Sequence, residues 1–291
     1  MIINYSIIIP HKNTPDLLRR CIDSIPERED VEIIVVDDGS DDDKFPILHR
    51  QDVIIESINR DESKGAGKAR NHGLARALGT WVLFADSDDY YQDGLIRFLD
   101  KYKDCEADVI YFDHQIVRDE IVIKNRYPYV ARYNENKVDS VEEVKYRFNV
   151  PWNKMIKRTF LLDYNISFEE TPVGNDIFFN YQIGTFAKKI IIDKAIIYNY
   201  AVNDNSTIRR KNNDESFYLA LIRHQYQCNE FLKYVGHPKW IRSVFLIFVS
   251  LAVKKGWRQC VMALKVFAGH YKEIVDSKDL FVIAVKSRLN D

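Results

Sequence analysis

Four short runs of consecutive apolar, mostly β-branched residues, at 6–9, 31–36, 53–57 and 81–85, have the length of buried strands, and stretches with helical spacing separate them. Leu17, Leu18, Cys21, Ile22 and Ile25 share one helical face, with Thr14 in the N-cap position and Pro15 as first residue. Ala69, Leu74, Ala77 and Leu78 predict a second helix, ended by Gly79. Strand alternating with helix predicts an α/β fold: a mostly parallel sheet with helices on its faces.

Past Leu99 the pattern loosens. Residues 108–112 read as another buried strand, 115–125 alternate like a hairpin arm, and a polar, Tyr- and Asn-rich stretch to about Asn136 reads as a surface excursion. Helical spacing returns at 139–148, 158–164 and 176–184, with closing strands at 190–192 and 196–200. From Phe217 onward the apolar spacing is helical, with faces at Tyr218, Leu221 and Ile222 and again over 240–253. The organisation is an α/β body over 1–213, split into halves at about residue 100, and a helical C-terminal region over 214–291.

Charge separates the same two parts. The net value of −1 hides a body with 30 Lys and Arg against 37 Asp and Glu, and a tail, 215–291, with 12 against 6. So balanced a chain has no global pull toward a polyanion, and no nucleic-acid partner is expected. Cys21, Cys105, Cys228 and Cys260 are too scattered for a zinc cluster and too few for a disulfide framework, so they read as reduced thiols of a cytoplasmic protein. The N-terminus reads as a first strand rather than a signal peptide, and no apolar run reaches the ~18 residues that span a bilayer.

In open parallel sheets ligands bind beyond the carboxyl ends of strands. Three of the strands end in polar clusters: Pro10-His11-Lys12-Asn13, Asp37-Asp38-Gly39-Ser40 and Asp86-Ser87-Asp88-Asp89. Turn chemistry accounts for the residue types but not for the accumulation of carboxylates on one edge. Carboxylates this close repel unless a cation neutralises them, which points to Mg²⁺ or Mn²⁺ with a diphosphate-bearing guest. Gly65-Ala66-Gly67-Lys68-Ala69-Arg70 is not a Walker A loop, because Glu62 and Ala69 stand where that motif needs Gly and Ser or Thr. It can still receive an anion as a Gly-rich helix start.

The ordered set Ser6-Ile7-Ile8-Ile9-Pro10, Val35-Val36-Asp37-Asp38-Gly39-Ser40, Ala69-Arg70-Asn71-His72-Gly73-Leu74 and Phe84-Ala85-Asp86-Ser87-Asp88-Asp89 resembles the GT-A nucleotide-sugar glycosyltransferases of family 2. Pro151-Trp152-Asn153-Lys154-Met155-Ile156-Lys157-Arg158 and Gly174-Asn175-Asp176-Ile177-Phe178-Phe179 extend the resemblance over about residues 4–210. It implies a GT-A, Rossmann-like fold and an inverting, metal-dependent transfer of a sugar from a nucleoside diphosphate, with UDP as the expected nucleotide. The acceptor would be a hydroxyl of a glycan or lipid-linked glycan in bacterial surface polysaccharide synthesis, a capsule or O-antigen setting.

By the same resemblance, Pro10, Lys12 and Asp38 line the uridine pocket, and Gly65 and Arg70 lie beside the nucleotide. Asp86-Ser87-Asp88 is the DxD motif, with Asp86 toward ribose or sugar and Asp88 on Mn²⁺ or Mg²⁺. Asp176 is the expected catalytic base, and Trp152, Asn153, Lys154 and Asn175 the acceptor-side binding residues; Trp152 either stacks on a sugar face or packs in the core. Arg209 and Arg210 are candidates for a lid over the diphosphate. Two departures matter: Lys12 replaces a common aromatic residue, and Asn175 a common Glu. Loss of that Glu removes a like charge beside Asp176 and is expected to lower its pKa. His11 and His72 are read as structural.

Two other readings compete. A haloacid-dehalogenase-type sugar phosphatase also uses Asp-x-Asp after a strand, but its nucleophile ends the first strand rather than about the fourth. A catalytically silent sugar-nucleotide-binding module would share the pocket, and a retained Asp176 argues against it. In the tail, the apolar stretch 244–253 flanked by Arg242, Lys254, Lys255, Trp257 and Arg258 reads as core-packing helices, with peripheral contact to an anionic inner leaflet through 240–258 as the alternative.

Overall fold

The structure, a computed structural model, describes residues 2–48, 50–171, 174–202, 215–272 and 274. Four strands lie parallel in the first half: β1 (Tyr5–His11), β2 (Val31–Asp37), β3 (Val53–Ser57) and β4 (Trp81–Phe84). Helix α1 (Pro15–Asp23) connects β1 to β2, and α2 (Ala66–Arg76) connects β3 to β4. β1, β2 and β4 are buried at every position, which is why they are continuous apolar runs rather than alternating ones. Ser6 and Glu32, the polar residues near the start of β1 and β2, satisfy each other: the Ser6 hydroxyl donates to Glu32, whose carboxylate also accepts the Leu78 N–H at 2.6 Å.

The second half is a mixed extension of the same sheet. A two-residue strand β5 (Tyr90–Tyr91) and helix α3 (Leu95–Asp100) lead to β6 (Val109–Arg118), which turns into β7 (Ile121–Ile123). Then come α4 (Val138–Arg147), β8 (Lys154–Lys157), α5 (Arg158–Asp163), α6 (Asn175–Phe186) and β9 (Ile190–Ala201). The strand order is β3-β2-β1-β4-β8-β6-β9-β5, with β7 on β6. β8 runs antiparallel to both β4 and β6, while β6 and β9 are parallel. The entry to β8 therefore lies at the same edge as the exits of β1, β2, β4, β6 and β9.

Three helix or strand boundaries differ from the sequence reading. α2 ends at Arg76, not at Gly79; Gly79 lies in the turn beyond, its N–H bonded to the Ser6 hydroxyl at 2.8 Å. The two strands read at 190–192 and 196–200 are one, β9, whose pairing with β6 shifts register around Asp113. The strand at 108–112 and part of the hairpin arm at 115–125 are likewise the single strand β6. Thr14 does occupy the cap position of α1, but its hydroxyl lies 3.3 Å from the Ser87 hydroxyl and does not cap.

The C-terminal region is helical: α7 (Glu215–Tyr234), α8 (Phe245–Lys255) and α9 (Trp257–Gly269). α7 packs on α4 and α6 through Tyr146, Phe178, Tyr181, Cys228, Phe231 and Leu232. Its N-terminal part packs against α8 and α9 through Tyr218, Ile222, Phe248, Cys260 and Ala263. Trp240, read as part of an apolar face with α8, instead sits in a 3₁₀ turn, stacked on Tyr146 and donating to Glu142 at 3.2 Å. Among the described residues no helix is long and apolar enough to cross a membrane. All four cysteines are free thiols.

Candidate active site

β1 and β2 run in register to Pro10 beside Val36 and His11 beside Asp37, so both strands release their following residues at one edge. His11 is locked there. Its Nε2 accepts the Thr14 N–H at 3.2 Å, which leaves Nδ1 to carry the proton donated to Asp37 at 2.9 Å. Asp37 also accepts the Ser40 N–H at 2.9 Å, holding the turn after β2. His11 is thus structural, as the sequence suggested, and His72 pairs with Glu56 at the surface.

The turn buries Asp38 at this edge. Its Oδ2 accepts the Ser63 hydroxyl at 2.8 Å and the Gly65 N–H at 3.0 Å, and Lys12 Nζ stands 4.0 Å away while donating to Ser63 at 3.0 Å. Its Oδ1 is buried with no partner. A buried carboxylate oxygen left open costs free energy unless a donor arrives, so this atom has the capacity to accept a further N–H. Pro10, Lys12, Asp38 and Gly65 are brought together as the sequence anticipated.

Arg70 of α2 reaches across the site. One guanidinium nitrogen donates to Asp86 at 2.5 Å and another to Asn175 Oδ1 at 3.0 Å, with the guanidinium over the Phe168 ring. α2 can come this close because Gly67 lacks a side chain: a Cβ there would lie 2.1 Å from the Glu169 carbonyl oxygen. Asn71 completes the attachment with bonds to both the N–H and C=O of Phe168, at 2.8 and 2.9 Å.

Asp86, Ser87 and Asp88 follow β4. Burial and the neighbouring Asp86 push the Asp88 carboxyl up to about 6. Its backbone carbonyl accepts from Arg20 at 2.5 Å, and it faces a cleft of about 410 Å³ bordered by Arg20, Tyr90, Asp119 and Ala201. Asp89 turns away from that cleft, accepting from the Tyr198 hydroxyl at 3.0 Å and the Ala201 N–H at 2.7 Å. Two carboxylates, Asp86 and Asp88, remain at the edge. Among the described residues there is no cluster of three or more His, Cys, Asp or Glu placed to hold a metal. One or two carboxylates is nevertheless the protein share in many Mg²⁺ and Mn²⁺ sites completed by phosphate oxygens and water.

Asp176 stands in the first turn of α6. Burial pushes its carboxyl up, against the pull of Arg70 and His224. The lowering expected from Asn175 is relative to a Glu at that position; in this chain desolvation, with the nearby Asp86, leaves the net shift upward.

The acceptor-side residues are rearranged most. Trp152 is buried, with its ring stacked on Tyr198 at 5.0 Å and Tyr200 at 5.8 Å, so its faces are taken by aromatic neighbours rather than offered to a sugar. Asn153 is buried in a left-handed conformation at φ 64°, its amide under the surface. Lys154 points inward, donating to the Phe148 carbonyl at 3.2 Å and to that of Val150, and burial pushes its ammonium down to about 7. Asn175 spends its amide on Arg70 and on the Thr171 carbonyl. Trp152 and Lys154 thus face inward, whereas the buried Asn153 amide has no hydrogen-bond partner and Asn175 is half-buried. Arg209 and Arg210 lie outside the described residues.

Sequence reasoning passed over Tyr198. Its hydroxyl accepts the Asp86 N–H at 2.9 Å while donating to Asp89, so one side chain on β9 sets the turn after β4. Nothing local singles it out in a strand that also carries Asp193, Lys194, Asn199 and Tyr200.

A sequence model described as "Glycosyl transferase family 2" matches residues 6–164. The chain is 26% identical over 220 residues to the putative glycosyltransferase EpsH of Bacillus subtilis, covering 70% of this chain and 62% of that one. It is 31% identical over 210 residues to a poly(ribitol-phosphate) beta-glucosyltransferase of Bacillus spizizenii, covering 68% of this chain and 32% of that protein. It thus spans less than two thirds of either relative's length. Among solved structures, S. aureus TarS 1-349 in complex with UDP-GlcNAc superposes with a TM-score of 0.67 at 19% identity, covering 94% of this chain and 81% of that one. That likeness extends the fold agreement through α6, β9 and α7, beyond the segment matched by the family model. The nucleotide-edge geometry and a match over more than half the chain agree: this protein belongs to glycosyl transferase family 2, with a GT-A fold and a helical C-terminal region.

Proposed function

We propose that the protein is an inverting glycosyltransferase that moves a sugar from a UDP-sugar to a hydroxyl of a glycan or lipid-linked glycan acceptor in bacterial surface polysaccharide synthesis. The observation that carries this reading is Arg70, which ties Asp86 on the donor edge to Asn175 next to Asp176, so that both halves of a displacement meet at one side chain. Asp38 receives the uracil ring N–H on its open Oδ1, and Pro10, Lys12 and Gly65 border the uridine. Asp88, with Asp86 beside it, would hold Mn²⁺ or Mg²⁺, which supplies neutralisation of the leaving diphosphate when bound.

Asp176 takes the proton of the acceptor hydroxyl as the oxygen attacks the anomeric carbon from the face opposite the diphosphate. Its raised pKa makes it a stronger base than an ordinary carboxylate. Similarity to a poly(ribitol-phosphate) beta-glucosyltransferase supports the surface-glycan setting. Contact with the inner leaflet narrows to Phe245, Leu246, Val249, Val253 and Trp257, all exposed, with Arg258 beside them; Trp240 is excluded by its burial. Flotation with anionic liposomes tests it, and loss of flotation in Trp257→Ala is the expected result.

The reading of the donor side is tested by titrating UDP into the protein with and without Mn²⁺. Asp88→Ala should lose the Mn²⁺-dependent part of the affinity, and undiminished metal dependence removes Asp88 as ligand. A screen of nucleotide sugars for UDP release, with and without glycan acceptors, then identifies the donor.

A further inference from the structure

Gly174 precedes α6 with φ +75°, a conformation suited to glycine, and a Cβ there would lie 2.7 Å from His224 Cδ2. His224 comes from the opposite end of the architecture, the C-terminal helix α7, yet is 2% exposed and fills this gap. Its Nδ1 forms an ion pair with Glu169, and its Nε2 lies 3.4 Å from Cys228 Sγ one turn along α7. Glu169 follows Phe168, which Asn71 and Arg70 hold against α2. The pair therefore joins the donor-side helix α2 to α7, and the first turn of α6, with Asp176, lies between them.

We propose that His224 is a positioning residue for Asp176: paired with Glu169, it closes the gap at Gly174, fixes the start of α6 and places a positive charge beside the carboxylate. This rests on Asp176 as the base. The groups that face His224 are Glu169 from the segment before α6, Cys228 on α7 itself and Asp176 on α6, with Arg242 beyond Cys228. Burial opposes a charged ring and the Glu169 carboxylate against Nδ1 favours one, so the imidazole is held above its ordinary value, while burial pushes the Cys228 thiol up and keeps it neutral. The charge in turn lowers Asp176, together with Arg70, against burial. The basic tail thus contributes one cation to the site of the acidic body.

The test is NMR titration of the full chain without ligands, the Asp176 carboxyl being assigned by its loss in Asp176→Asn. In the wild type the His224 ring should be doubly protonated at pH 7; a neutral ring overturns the proposal. In His224→Gln the Asp176 midpoint should rise by about half a pH unit or more, because a cation beside the carboxylate is gone. UDP–Mn²⁺ affinity should stay within about twofold. An unmoved midpoint with a folded protein overturns the positioning role. Should His224→Gln fail to fold, Glu169→Gln in the same titration carries the same two outcomes, since it removes the charge that holds the ring protonated. Retained sugar transfer by Asp176→Asn would sink the base assignment while leaving the carboxyl shift intact, so the two failures are distinguishable.

Discussion

The two halves of the sheet treat their signature residues differently. In the nucleotide half, β1 and β2 leave their ends with polar residues open: Asp38 keeps a buried oxygen without a partner, and Lys12 remains half-exposed. In the second half, Trp152, Lys154 and Asn175 lie at the correct edge but are spent on internal contacts, and Asn153 is buried with its amide unpartnered. The cause is topological. A parallel strand between two helical layers can direct its exit residues only outward, into the crevice. β8 enters antiparallel from that same edge between β4 and β6, and its leading residues pack beneath the β9 aromatics. Motif position therefore predicts the edge in both halves but the exposed face only in the parallel one.

The largest effect expected from breaking this contrast is at the one acceptor-side carboxylate that keeps its chemistry. Asp176→Asn should reduce transfer by about 10²–10⁴-fold, the usual worth of a general base, with UDP–Mn²⁺ affinity retained. Its pH dependence has a fixed sign: transfer falls as pH drops through the Asp176 pKa, and that limb should lie above the ordinary carboxylate range because burial raises it. Kinetics from pH 4 to 8 measure it.

Tyr198→Phe removes the bridge between the Asp86 N–H and Asp89 and leaves both without that partner. A buried polar group so stranded costs about 1–3 kcal/mol, so Mn²⁺-dependent UDP affinity should fall about tenfold by calorimetry. Unchanged affinity would show that the turn after β4 holds its own shape.

The two lysines make the sharpest paired test. Lys154→Met should lower stability by about 1–3 kcal/mol by denaturant unfolding, since the Phe148 and Val150 carbonyls lose their donor, without acting on UDP binding directly. Lys154 is held down at about 7 in the fold against an ordinary 10.5, so between those values the unfolded chain binds the extra proton. Wild-type stability relative to Lys154→Met should accordingly rise with pH across that window and be flat below it. Lys12→Ala should do the reverse: a few-fold loss of UDP affinity and no change in unfolding midpoint, because the side chain is half-exposed.

Much of this was legible without coordinates. The apolar runs that became β1, β2 and β4 needed no tertiary information, since strands buried on both faces are apolar nearly throughout, and the polar clusters after them had to lie at one edge; β3, at the sheet edge, is only partly buried. Asp38, Asp86, Asp88 and Asp176 were found that way or by resemblance. Tyr198 and His224 were not, because a hydroxyl that sets a turn more than 100 residues away, or a ring that fills a gap over Gly174, has no local pattern.

The opposite charges of body and tail were likewise plain in the chain, but not that one tail residue, His224, is buried against Gly174 at the start of α6. Local periodicity, strand-end chemistry and charge are properties of neighbouring residues and are therefore determined by the sequence alone. Which side chains remain free to meet a ligand depends on what packs against them from distant segments, and desolvation decides their proton affinity. Those two quantities exist only once β8, β9 and α7 have closed over the site, and for that reason only the tertiary structure decided them.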